Sequence, residues 1–86
     1  MTIEQMFEEK KTGPRLRQEY LLLIDLLKRH PEGILIDQAA KVLGEYNEVA
    51  RRRLKVLRAY GFCTVSYIRC QKHRYRKMAK YRPLEA

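Results

Sequence analysis

The sequence predicts one small α+β domain, mostly helical and closed by a small β-hairpin. Three observations predict it. Apolar residues recur at helical spacing between Pro14 and Tyr60. The period changes to two after Gly61, and Gly33, Gly44 and Gly61 punctuate the chain between the patterned segments. Eighty-six residues supply one core and no second. The expected boundaries are a leader over 1–13, the domain over 14–82 and a tail over 83–86.

The leader places Ile3, Met6 and Phe7 at helical spacing, as a frayed end or a small packing arm. Gly13-Pro14 then starts a helix of about four turns through His30. Leu16, Tyr20, Leu23, Ile24 and Leu27 share one face of it. Leu21, Leu22 and Leu26 fall outside that stripe, so the helix is apolar around more of its girth than one contact requires. Two explanations stand level: cover from several sides, in part by Met6 and Phe7, or a dimer interface formed by Leu21, Leu22 and Leu26.

Pro31 and Gly33 close this helix, and Ile34-Leu35-Ile36 reads as a short strand. Asp37 stands where an N-cap belongs, ahead of a two-turn helix with Ala39, Ala40, Val42 and Leu43 on its apolar side. Gly44 ends it. A third helix spans 47–60, with Ala50, Leu54 and Leu57 as its apolar stripe. Glu48, Arg52, Lys55 and Ala59 lie opposite, with Arg51 and Arg58 on one shoulder. Arg53 falls among Val49, Val56 and Tyr60 on the other, so it is expected to snorkel or to pair with an acid from another element. Cys63, Val65 and Tyr67 then alternate with Thr64 and Ser66 in a half-buried strand, the first three on the parity assigned to the core. Tyr75, Ala79 and Tyr81 alternate with Arg74, Arg76, Lys80 and Arg82 in the returning strand, up to Pro83.

Charge is distributed unevenly. Met1 to Glu48 carries seven Lys or Arg against nine Asp or Glu, a net of −2; Val49 to Ala86 carries twelve against one, a net of +11. Such asymmetry points to a polyanion or an anionic surface, and because it begins inside a patterned helix it is more than a solubilising tail. Cys63 and Cys70 do not make a disulfide framework, and their odd spacing on one strand points them to opposite faces. The acidic start lacks the apolar core of a signal peptide, and the run Tyr20 to Ile24 is far too short to span a membrane. A soluble, cytoplasmic protein is expected.

No chemistry of another kind stands out. Cys63, Cys70, His73 and His30 lack the spacing of a zinc set. Ser66, two histidines, Asp25 and Asp37 offer no convincing nucleophile, base and orienter, and the isolated glycines form no phosphate-cradling loop. The expectation is a non-enzyme without metal, cofactor or small-molecule substrate.

The order helix, short strand, short helix, turn, basic helix, hairpin resembles the winged helix-turn-helix domain over residues 15–82. The most specific part runs from Ile36 to Phe62. As in regulators of the MarR and ArsR type, a small apolar pair (Ala39-Ala40) precedes a glycine (Gly44). Apolar residues then follow six, ten and thirteen positions later (Ala50, Leu54, Leu57), before Gly61-Phe62. The match is to the superfamily rather than to one family in it. Tyr46 departs from the Ser or Thr usual ahead of the second helix, which leaves Asn47 to cap it one residue later. The resemblance implies three helices with a two- to three-stranded antiparallel wing sheet.

It also implies a homodimeric, sequence-specific regulator of double-stranded DNA. The basic helix would enter the major groove with Tyr46, Asn47, Glu48, Arg51, Arg52 and Lys55 approaching the duplex. Arg69, Lys72, His73, Arg74 and Arg76 on the hairpin would follow the backbone or minor groove. Glu48 has a plainer role available, pairing with Arg52 one turn on. So compact a chain, with no visible sensing region, suits a viral or plasmid regulator. Two alternatives remain: an RNA-binding module built on the Tyr- and Arg-rich hairpin, and a protein-interaction domain that docks on an acidic partner.

Overall fold

Helices form where the 3.6 period runs, and a sheet forms where it gives way to two. The computed structural model describes residues 2–69 and 77–84. Within them the order is α1 (Ile3–Lys10), α2 (Pro14–Arg29), β1 (Ile34–Leu35), α3 (Ile36–Leu43), α4 (Asn47–Ala59), β2 (Cys63–Arg69) and β3 (Lys77–Pro83). This is the mostly helical domain with a small antiparallel sheet that the sequence predicts, with one helix added at the front.

That added helix, α1, comes from the leader. Thr2 and Gln5 cap it reciprocally: Gln5 N–H donates to Thr2 Oγ1 at 3.2 Å, and Thr2 N–H donates to Gln5 Oε1 at 2.8 Å. Lys11 leaves it in the left-handed conformation (φ 51°). Met6 is 0 % exposed and Phe7 is buried, its ring 6.2 Å from that of Tyr20. Arg17 completes the join. Its Nε donates to the Thr12 carbonyl at 2.9 Å, and its guanidinium lies 5.6 Å over the Phe7 ring. The leader is therefore a packing arm, held by apolar burial and by two cations on aromatic rings, Arg17 over Phe7 and Lys10 6.0 Å over Tyr60.

Tyr20, Leu23 and Leu27 bury the inner face of α2, and α3 and α4 pack beside it. Ala39 and Ala50, both fully buried, are small enough to let α3 and α4 approach. Leu54 and Leu57 complete the α4 stripe at 0 % exposure, as the spacing predicts. α3 starts two residues earlier than expected. Leu35 holds the N-cap position, and its N–H is satisfied by Gln38 Oε1 at 2.9 Å. Asp37 is thus not the cap, because the chain enters the helix directly from β1.

The sheet runs β1-β3-β2, antiparallel throughout, so the last strand is central. Tyr81 pairs with Ile34 on one side and Val65 on the other, which sews the middle of the chain to its end. Ile34, Cys63 and Tyr81 are buried on the face toward the helices. Gly33 sits at φ +108°, where a Cβ would come within 2.9 Å of the Lys80 and Arg82 side-chain stems; the turn into β1 accepts no larger residue without strain.

Because Met6 is fully enclosed, Met6→Ala should lower stability by about 2–5 kcal/mol. A urea-unfolding series on the full chain checks this. An unchanged midpoint would show that α1 is not part of the cooperative unit.

Candidate nucleic-acid interface

The rotation of α4 decides which of its cations meet solvent. With Ala50, Leu54 and Leu57 turned inward, Arg51, Arg52, Lys55 and Arg58 are exposed. Arg53 goes elsewhere. Its Nε donates to Glu19 Oε2 on α2 at 2.8 Å, with the two side chains 27 % and 12 % exposed. The arginine triplet is therefore two outward cations and one structural anchor. Close by, Arg15 reaches Glu45 at 3.5 Å, and these two pairs line an open cleft of about 400 Å³ between α2 and α4.

The N-terminus of α4 is tied to α3. Gly44 turns the chain in the left-handed region (φ 67°), and Tyr46 takes the N-cap position with no capping hydrogen bond from its side chain. Asn47, expected to cap, is the first helical residue. Its side-chain amide donates to Asp37 Oδ1 at 2.7 Å. Tyr46 projects outward, 83 % exposed. Glu48 pairs with Arg52 at 3.0 Å, which orders that guanidinium along the outer face. Among the described residues Arg51 and Lys55 form no ion pair.

Of the hairpin residues, Arg69 ends β2, where its backbone pairs with Lys77. Lys72, His73, Arg74 and Arg76 lie outside the described residues, as do Cys70 and Tyr75. Lys80 and Arg82 lie on the sheet face opposite Tyr81, with their stems over Gly33. Of the three leucines set apart on α2, Leu21 and Leu22 are exposed at 49 % and 39 %, whereas Leu26 is partly buried against the core. Among the described residues no group of three or more His, Cys, Asp and Glu gathers as for a metal, and no helix is long and apolar enough to cross a membrane.

One expectation on β2 needs correction. Tyr67 shares the parity of the buried Cys63, yet it is 65 % exposed. It lines a cleft of about 310 Å³ together with Ile36, Arg51, Lys55, Ala79 and Tyr81. Alternation identified the face of the sheet, but the helical layer covers only its near end. The Asp37–Asn47 bond was equally invisible, since nothing local marks residues ten positions apart as partners.

Burial also sets ionisation here. It pushes the Cys63 thiol up from 9.0 to about 11, only partly opposed by Arg58, while Sγ lies 3.8 Å from the Leu54 carbonyl. Burial likewise raises the Tyr20 and Tyr81 hydroxyls above their usual 10.0.

Two outcomes follow. Glu19→Ala leaves a half-buried guanidinium unpaired and should cost about 1–3 kcal/mol; the double variant with Arg53→Met should recover part of it, which a double-mutant cycle by urea unfolding measures. The raised thiol is neutral in the folded chain but ionises in the unfolded one. Its stabilisation is therefore complete below pH 9 and lost as pH rises toward about 11. Stability should fall across that window with a shallower slope in Cys63→Ala, and identical slopes would sink the assignment.

No protein-family model matches the chain, and neither a curated protein nor a solved structure matches it.

Proposed function

We propose that the protein is a sequence-specific, double-stranded DNA-binding transcriptional regulator of the winged helix-turn-helix kind. The reading is carried by the outward face of α4, where Arg51, Arg52 and Lys55 are exposed on a helix packed beside α3 across the Gly44 turn. A rigid cationic helix of this kind suits the major groove, where arginine meets guanine in two places and lysine meets phosphate. In this reading Glu48 positions Arg52, Asn47 is held back by Asp37, and Tyr46 is free to reach the backbone. The β2–β3 hairpin serves as the wing, its basic residues following a flanking phosphate strand.

A homodimer is part of the proposal. Leu21 and Leu22 form an exposed apolar pair on α2. Leu26 contributes less, being partly buried within its own chain. Two copies would read two half-sites of a pseudo-palindrome.

The test is fluorescence anisotropy against a randomised duplex pool across a salt series, followed by sequencing of the bound fraction. An enriched motif and a steep salt dependence support the regulator. The Arg52→Ala, Lys55→Ala variant should weaken duplex binding by about 10- to 100-fold and lower the salt slope by about two. Binding without an enriched motif, unchanged in that variant, would turn the basic surface into a docking face for an acidic protein.

A further inference from the structure

The cleft between α4 and the sheet has a composition that duplex recognition does not require. Arg51 and Lys55 stand on its helical side. Tyr67, Ala79 and Tyr81 line the sheet side, with Ile36 completing the wall. At about 310 Å³ it lies at the small end of ligand-sized cavities, which begin at about 300 Å³. Single exposed apolar residues are ordinary on any surface. Tyr67 is different because it is largely exposed and lines a concavity with two cations. Neither cation has an ion-pair partner among the described residues, whereas Arg52, one position from Arg51, is held by Glu48.

An aromatic face next to two cations matches the two halves of a nucleotide: a base with a flat π-surface and a phosphate with negative charge. In an intact duplex the base faces are stacked on one another and only their edges are open to a helix in the groove. An exposed aromatic side chain beside two cations therefore suits a base that has left the stack.

We propose that this cleft holds one unpaired nucleotide, its base against the Tyr67 ring and its phosphate on Arg51 and Lys55. The inference rests on the nucleic-acid reading above and, where a single-stranded flank is present, moves Arg51 and Lys55 from the duplex to that flank, leaving Arg52 on the groove. Base and phosphate are common to DNA and RNA, so the source of the nucleotide is separated by the probes.

The experiment compares four fluorescent probes on the full chain: a blunt duplex, the same duplex with a single-stranded oligothymidine tail, free oligothymidine, and oligouridine. The tail should raise affinity over the blunt duplex by about 5- to 100-fold, the range of one base–aromatic stack. Tyr67→Ala should abolish that advantage, and Tyr67→Phe, which keeps the ring, should retain it. Stronger binding of oligouridine than of free oligothymidine marks RNA as the source, and the reverse marks DNA; dependence on Tyr67 supports the cleft in both cases. A tail that adds nothing, or an advantage that survives Tyr67→Ala in a variant whose circular dichroism melt is intact, overturns the cleft while duplex binding still stands. Failure to bind any of the four probes overturns the cleft and the regulator reading together.

Discussion

Burial of the Ala50, Leu54 and Leu57 stripe is the constraint on which the rest of the molecule depends. These three positions are fully enclosed against α2, α3 and the sheet. A helix has one rotation about its axis, so seating that stripe determines the direction of every other residue on it. Arg51, Arg52 and Lys55 are turned outward by apolar packing on the far side of the helix. Arg53 is turned toward α2 by the same rotation, where Glu19 meets it. The charge pattern of the surface is thus set by the core.

A second constraint comes from the ends of the chain. Because β3 lies between β1 and β2, Tyr81 must be in place before the short strand Ile34–Leu35 has a partner. A two-residue strand has no independent stability; it exists because a later segment supplies its hydrogen bonds and the helices cover its inner face. At the other end, α1 adds Met6 and Phe7 to the same core. A chain of this size has little apolar surface to spare, and its leader is used as cover.

Polar contacts then adjust what packing sets. The Asp37–Asn47 bond fastens the start of α4 to α3, and Glu48 orders Arg52. These exposed pairs contribute little to stability, typically under about 1 kcal/mol. Their effect is geometrical: they hold Asn47 and Arg52 in place, while Arg51, Lys55 and Arg58 on the same helix form no ion pair among the described residues. That division between held and free charge underlies both the proposed duplex face and the proposed nucleotide cleft.

The sequence by itself determined the elements and their inward faces. Helical spacing named Tyr20, Leu23, Leu27, Ala50, Leu54 and Leu57 as core, glycines marked the turns, and the place of Arg53 among apolar neighbours left it either to snorkel or to pair with an acid from another element. All of these follow from the period of a single element, which is local information. Tertiary structure alone decided how far each layer extends and which distant residues meet. Tyr67 obeys the alternation of its strand, yet it is exposed because the helices stop short of it. Asp37 looked like a cap, yet it serves the next helix because β1 runs straight into α3. Glu19 could be identified as the partner of Arg53 only once α2 and α4 were side by side. Periodicity tells a side chain which way to point, and only the packed neighbour decides what it finds there.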